Sequence, residues 1–475
     1  MKRLTALLLA LVIAGCATPP PEKELAQPVE ADALDLARHV VPPISPTWWQ
    51  ALDDATLNRL IDTTLQQSPD LAAALARLQQ AEAQSGFAAS QLGVQTGFST
   101  TGAAIHHNAL NEYPILSHIV GDTIDYGTLQ LKGQWRWDLW GEHKNELAAA
   151  IGKKQATAYE IAQTRLVLAQ AVATQYLQLQ TLDAQKALLD KRLAIKKKQV
   201  PLLHDRIKAG LMPPSQLYPL QSAEQQLQAA IRDLEHKGEQ IRHGLALISG
   251  QSPTALAGLQ PEPARALPAP PVQALTADLL GKRPDLAAQR EGILARGHLV
   301  KAAEARFYPN IKISALAGWS VLQIGDFPNS RNMIGALLPS ISLPIFTAGA
   351  LEANLEHKQA EYNEQIARYN KNVYQALREA ADALSAWQAA ADAEKRQRDI
   401  LAIARKQHKA VRERIRAGLE TELALLNAED EIVQTQSQLL QASLQQRLAW
   451  VALNVAFGGG FTSPEKNRHD KISHQ

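Results

Sequence analysis

Thr128 to Gly141 reads TLQLKGQWRWDLWG. At alternate positions, Leu129, Leu131, Gly133, Trp135, Trp137 and Leu139 share one side. Thr128, Gln130, Lys132, Gln134, Arg136 and Asp138 share the other. Strand side chains alternate with period two, so the stretch reads as a β-strand with one apolar and one polar face. Its end is aromatic, as where a membrane strand leaves the lipid. From Glu142 the chain turns Ala-, Gln- and Leu-rich for dozens of residues. A membrane-type strand therefore runs straight into a very long helix.

That helix is expected over 142–208, on the order of 100 Å at 1.5 Å per residue, with Pro201 its one interruption. Leu168, Val172, Gln175, Leu179 and Leu182 follow the 4-3-4-3 spacing of a coiled-coil seam. Gly210 ends it, Met212-Pro213-Pro214 makes the turn, and a further helix is expected over 215–248. Upstream, Trp48-Trp49 opens a helical stretch with Asp53 or Asp54 as cap, and Ser68-Pro69-Asp70 starts a second helix reaching about Ser90. Residues 95–105 read as a weaker strand, 106–126 as a loop, and 127–139 as the strand quoted above. His106-His107 lack a third ligand at useful spacing and read as loop histidines.

After a Pro-rich linker over 251–274, the pattern restarts. Arg283-Pro284-Asp285-Leu286-Ala287-Ala288 echoes Ser68-Pro69-Asp70-Leu71-Ala72-Ala73 at an offset of 215 (284 − 69). Arg414-Ile415-Arg416-Ala417-Gly418-Leu419 echoes Arg206-Ile207-Lys208-Ala209-Gly210-Leu211 at an offset of 208 (414 − 206). Strands are expected at 310–319 and 333–346, a second long helix over 349–416 and a last helix over 422–457. The chain is thus a tandem duplication, with repeats at 48–250 and 275–457 and a frayed polar tail over 458–475.

Composition narrows the class. The 475 residues carry 49 basic and 47 acidic side chains, a net charge of +2, and give no nucleic-acid signature. The Lys196-Lys197-Lys198 run reads as a solvated helix face. Mean hydropathy is -0.20, and past the N-terminus no window holds the 18 apolar residues of a spanning helix. The single cysteine, Cys16, excludes a disulfide framework and Cys-based metal sites. Lys2 and Arg3 precede an apolar run from Leu4 to Ala14, which reads as a signal peptide over 1–15. Ile13-Ala14-Gly15-Cys16 looks like a bacterial lipobox, so Cys16 is expected to carry acyl chains. Ala17 after it resembles the outer-membrane pattern. Residues 16–47, with Pro19-Pro20-Pro21, read as a lipidated, extended tether.

Two strands per repeat make four per chain, and four cannot close a barrel. Lipid tolerates no open sheet edge, since each unpaired backbone group costs several kcal/mol. The edges are therefore expected to pair with other copies, a trimer giving twelve strands with Lys132, Gln134 and Arg136 facing water.

At this point the sequence resembles the TolC-like outer-membrane efflux factors, in the lipoprotein subgroup that includes OprM and NodT. The stretches that carry the resemblance are Trp48-Trp49 with Asp53/Asp54; Trp137-Asp138-Leu139-Trp140-Gly141; Arg283-Pro284-Asp285-Leu286; Arg306-Phe307-Tyr308-Pro309; Leu343-Pro344-Ile345-Phe346; and the two Arg-x-x-Ala-Gly-Leu turns. The resemblance implies a mainly α, mixed fold: a homotrimer with a twelve-stranded outer-membrane barrel, a periplasmic tunnel of coiled-coil helices and a small equatorial domain. It implies docking to a periplasmic membrane-fusion adaptor and to an inner-membrane pump of resistance-nodulation-division or major-facilitator type. The duct would be passive, without cofactor or metal, and would export drugs, dyes and detergents.

The resemblance also implies a tunnel pinched shut around the Gly-containing turns. The aperture residues expected here are Arg206, Lys208, Arg414, Arg416, Glu420, Glu422 and Asn427. Arg416 keeps the family's basic residue two before Gly418. The family's Tyr is Ile415 here, its Asp nine after the glycine is Asn427, and the sixth position is Ala424. Glu420, Glu422 and Glu429 stand near enough to substitute. Trp135, Trp137, Trp140, Trp319 and Phe346 are the expected membrane-interface aromatics.

A duct for type I protein secretion is the alternative function; the lipobox and Trp-Trp opening favour efflux. A purely structural coiled coil leaves four alternating strands unexplained. No Gly-x-Ser-x-Gly, His-Glu-x-x-His or P-loop is present, so no enzyme is expected. Gly458-Gly459-Gly460 follows no strand and reads as a helix stop.

Overall fold

A computed structural model describes residues 24–29, 44–106, 123–271, 279–321, 325, 327 and 329–462. The signal peptide, Cys16, most of the tether, His107 and the tail from 463 lie outside the described residues. The chain divides into two compact units. The first is built mainly from Leu78–Thr157 and Gln289–Tyr369, the second mainly from Val29–Arg77, Ala158–Ala288 and Asn370–Gln475.

In chain order the helices and strands are α1 (Ala55–Gln67), α2 (Pro69–Ser90), β1 (Gln95–His106), β2 (Thr123–Trp137), α3 (Glu142–Lys208), α4 (Leu217–Ile248), the short α5 (Leu279–Lys282), α6 (Pro284–Ala305), β3 (Asn310–Val321), β4 (Met333–Ser342), α7 (Ala350–Arg416) and α8 (Glu422–Ala456). The duplication recurs in the fold. Helices α2 and α6 each begin on a proline and run for 22 residues. Helices α3 and α7 each run for 67 residues. They end alike: Gly210 and Gly418 both take φ of 73°, Leu211 N–H returns to Arg206 C=O at 2.9 Å, and Leu419 N–H to Arg414 C=O at 2.8 Å. This is a Schellman closure, and the left-handed residue it needs is cheap only as glycine.

The first unit holds the sheet. Its order is β1-β2-β3-β4, with every neighbour antiparallel. Each repeat supplies one hairpin, and the β2–β3 pairing joins the two. Below the sheet, Phe307 packs with Val300, Ala303 and Leu355, seating α6 on α7.

Several boundaries differ from the sequence reading. Strand β2 spans Thr123–Trp137 rather than 127–139. It stops at Trp137 because Asp138 turns back and caps α3, accepting from the His143 and Lys144 backbone N–H at 3.2 and 2.8 Å. Strand β4 stops at Ser342 rather than 346; Pro344 has no N–H to give a ladder. Leu343-Pro344-Ile345-Phe346 therefore lies outside the strand, and Phe346 is 88% exposed.

The second unit packs α1, α3, α4 and α8 around Trp48, Leu57, Ile61, Val172, Tyr176, Leu179, Leu245 and Trp450. Asp54, rather than Asp53, caps α1, accepting from Leu57 N–H at 2.9 Å. Asp53 instead takes φ of 52° and closes the preceding 3-10 turn. The described part of the Pro-rich linker is irregular but not free: Leu256, Leu259 and Leu267 pack against this core. Part of the tether is also engaged. Ala26 and Val29 N–H donate to Asn363 and Asn370 of α7 at 2.9 and 2.8 Å. The tail does not fray at Gly458. Gly458 to Gly460 all take positive φ, close against the Lys282 carbonyl and Leu166, and Phe461 meets Tyr159 edge-on at 5.6 Å.

Candidate functional site

Two places carry the expected functional residues, one in each unit. In the first, register decides what each sheet face presents. Leu131 pairs with Phe98 on one side and Ala317 on the other. Trp135 pairs with Ile313, and Ala315 with Leu337. The apolar faces of all four strands therefore coincide. Phe98, Leu131, Trp137, Met333, Leu337 and Ile341 lie on this face, each at least 50% exposed. The opposite face aligns Gln134 with Ser314, and Arg136 with Lys312 and then Ser340. The second face is not wholly polar, since Leu316 of β3 and Ile334 and Leu338 of β4 also stand on it. Strands β1 and β4 are the edges.

The aromatics gather at two levels of the sheet. Trp135 and Trp137 stack at 6.5 Å. Just below, Trp140 stacks on Tyr308 at 4.6 Å and donates its indole N–H to Pro309 C=O at 3.0 Å. Trp319 stands at the other level, opposite Leu129 and Met333. Leu129 and Trp137 are eight residues apart on β2, roughly 27 Å along the strand. Beneath the sheet, Arg306 binds Glu142 and Glu146 at 2.8 and 3.0 Å.

In the second unit, the α7–α8 turn brings some of the expected aperture residues together. Arg414 reaches Glu420 at 3.3 Å. Arg416 pairs with Glu413 on its own helix at 3.1 Å rather than with any residue of α8. Thr421 caps α8, accepting from Ala424 N–H at 3.4 Å. Glu422 lies in the first turn of that helix and is exposed. Glu429 reaches His408 at 3.6 Å. Arg206 and Lys208 occupy the last turn of α3. Helix α4 begins seven residues after Gly210 and α8 four after Gly418, so the first turn is three residues longer.

A second polar link on these helices joins residues outside the expected aperture set. Asp430 accepts from Arg192 Nε at 2.9 Å and from Lys196 Nζ at 2.8 Å, and next to it Gln199 donates to Asn427 at 2.8 Å. Ile195, Leu426 and Val433 pack around this link. Burial works against the charged carboxylate, but the hydrogen bonds and charges of Arg192 and Lys196 outweigh it, so the Asp430 carboxyl titrates below its ordinary range. The lysine run is therefore not uniformly solvated: Lys196 is only 15% exposed. The available signal was the 192/196 spacing, one helical turn.

No described helix is long and apolar enough to cross a membrane. Among the described residues no group of His, Cys, Asp or Glu is arranged to hold a metal ion.

Residues 60–251 and 275–459 match the sequence family described as outer membrane efflux protein. The chain is 30% identical over 490 residues to the putative multidrug resistance outer membrane protein MdtQ of Escherichia coli strain K12, covering 95% of this chain and 97% of that one. It is 28% identical over 468 residues to the multidrug resistance outer membrane protein MdtP of the same strain, covering 95% and 94%. Among solved structures, the outer membrane protein VceC of Vibrio cholerae matches with a TM-score of 0.78 at 30% identity, covering 88% of this chain and 100% of that one. The Campylobacter jejuni CmeC outer membrane channel matches in fold, with a TM-score of 0.81 at 19% identity over 96% and 98% of the two chains.

Proposed function

The chain belongs to the outer membrane efflux protein family, and from that premise we propose that it is the outer-membrane channel of a tripartite efflux system. It is a passive duct for toxic small molecules handed on by an inner-membrane pump and a periplasmic adaptor. The observation that carries this is the sheet. One face is apolar and exposed, the other is polar over most of its area, and both edges are open. Such a sheet suits lipid on one side and water on the other, and lipid forbids leaving its edges unpaired. Three copies supply twelve strands, with β1 of one chain meeting β4 of the next.

The aromatics fit two interface girdles. The roughly 27 Å between the levels of Trp137 and Trp319 becomes about 20 Å of height at a strand tilt near 40°, close to the apolar band of such barrels. Trp135, Trp137, Trp140 and Phe346 serve the periplasmic side and Trp319 the outer side. Acyl chains on Cys16 anchor each chain in the same membrane. In the second unit, the turns at Gly210 and Gly418, with Arg206, Lys208, Arg414, Arg416, Glu420, Glu422 and Asn427, form the periplasmic aperture that the adaptor engages. The pump is of resistance-nodulation-division or major-facilitator type.

The test has two arms. Full-length lipidated protein purified in mild detergent is expected to be a trimer that conducts ions in planar bilayers. A strain lacking the gene is expected to become sensitive to dyes, detergents or drugs, and to recover when the gene is restored. A monodisperse monomer that keeps its β-sheet circular dichroism would overturn the proposal.

A further inference from the structure

The polar face of the sheet is not electrically neutral. Lys132, Arg136 and Lys312 stand on it. Arg136 and Lys312 are directly opposed across β2 and β3. Like charges directly opposed on adjacent strands destabilise a sheet. No Asp or Glu occupies a position on this face of any of the four strands, among the described residues. Lys132 and Lys312 are exposed, and neither makes an ion pair among the described residues. Arg136 is partly engaged: its Nη1 lies 2.9 Å from His143 Nε2, and His143 Nδ1 lies 2.9 Å from Glu146. The acids nearest the base of the sheet engage groups other than Lys132 and Lys312. Asp138 caps α3, and Glu142 and Glu146 both hold Arg306.

We propose that Lys132 and Lys312, with Arg136 beside Lys312, form a cationic ladder that makes the membrane stretch of the lumen favour anionic solutes over cationic ones. This rests on the duct reading above, in which the polar face lines water. Lys132 sits four residues beyond Arg136 on β2, roughly 13 Å along the strand. Threefold repetition therefore places three lysines at each of two levels. A twelve-stranded wall lies about 12 Å from its axis, and the lysine stems carry the charges inward from the wall. At 0.1 M salt the Debye length is about 10 Å, so the field reaches the axis; at 1 M it is about 3 Å, and the field is confined to the wall. The bias on permeating ions is therefore electrostatic and dependent on salt.

The experiment is the reversal potential of the full-length trimer in planar bilayers under a KCl gradient. The double variant K132Q/K312Q keeps most of each side chain's bulk at exposed positions. Its reversal potential is expected to shift towards the potassium equilibrium potential, and that of K132R/K312R to stay at the wild-type value. The shift is expected to be largest near 0.1 M salt and to shrink near 1 M. The single variants K132Q and K312Q are expected to give partial shifts, which keeps the test open if the double variant fails to assemble. Conducting variants with an unmoved reversal potential would overturn the ladder and leave the duct standing. Wild-type trimers that carry no current would overturn the duct, and the ladder with it.

Discussion

Arg192 of α3 donates its Nε to Asp430 of α8 at 2.9 Å, and Lys196, one helical turn along α3, reaches the same carboxylate at 2.8 Å. One acid thus ties down two cations at a site where Asp430 is 13% exposed and Lys196 15%. Removing the acid leaves two half-buried positive charges facing each other. Asp430→Asn is expected to cost roughly 1–3 kcal/mol, below the range for fully buried pairs because Arg192 is part-exposed. Thermal melting of the trimer followed by circular dichroism reads this directly. A variant melting with the wild type would show that the link carries no net stability.

The same carboxyl sets a pH dependence. Its folded value lies below the ordinary carboxylate range because Arg192 and Lys196 outweigh the cost of burial. A depressed acid contributes stability above its unfolded value, near 3.9, and loses it as pH falls through the folded one. The melting gap between wild type and Asp430→Asn is therefore expected to be constant from pH 5 to 8 and to narrow below about pH 4. A gap unchanged at pH 3 would assign the stability to something other than this acid.

Arg416 tests whether the turn gates the duct. Its partner Glu413 is on the same helix and both are exposed, 69% and 53% for the side chains, so the pair itself is worth little stability. Arg416→Ala is expected to leave melting unchanged within about 0.5 kcal/mol and to raise ion leakage in planar bilayers. Unchanged conductance would remove Arg416 from the aperture.

What was readable in the sequence had local causes. The strand faces follow from alternation, so Leu131 and Lys132 fall on opposite sides whatever the register, and the register aligns four apolar faces. The ends of α3 and α7 follow from a glycine after a basic last turn. The strand ends at Trp137 and Ser342 were set less locally. Asp138 prefers the free N–H groups of α3 to the ladder, and the break at Pro344 competes with an apolar pattern that continues to Phe346. The Asp430 link was invisible for a stronger reason. Its partners lie 234 and 238 residues away, and only the rotational phase of α3 against α8 brings them together. Nor does composition distinguish a frayed Gly458–Gly460 from three left-handed residues packed against backbone.

Arg283, where the first repeat has Ser68, ties the start of the second repeat's Pro-Asp helix to its neighbours. Its guanidinium binds Asp285 through Nε and Nη2 at 3.1 and 2.8 Å, Glu379 of α7 at 2.9 Å and the Ala456 carbonyl at 3.2 Å. The side chain is 10% exposed, so the start of α6, the middle of α7 and the end of α8 share one buried cation. Arg283→Ala strands two carboxylates and a carbonyl, at an expected cost of about 3 kcal/mol or more. Arg283→Lys is expected to recover part of it, because an ammonium cannot reproduce the planar fork. Trimer yield and melting temperature check the order wild type, Lys, Ala; equal values for all three would mean that packing alone holds this junction.

The two sheet faces make opposite predictions for one kind of substitution. Leu131 is 55% exposed on the apolar face, and its neighbour Gln130 points to the other face. A lysine on the lipid face near the membrane midplane costs about 2–4 kcal/mol, whereas a position lining the lumen tolerates it. Leu131→Lys is therefore expected to lower trimer yield and raise urea sensitivity in lipid vesicles. Gln130→Lys is expected to assemble normally and to conduct. The comparison separates lipid from crowding, because the two residues are adjacent on one strand and present opposite faces. If Gln130→Lys were the damaging change and Leu131→Lys the silent one, the sheet would be facing the other way, and the cationic ladder would lie in lipid, where it cannot stand.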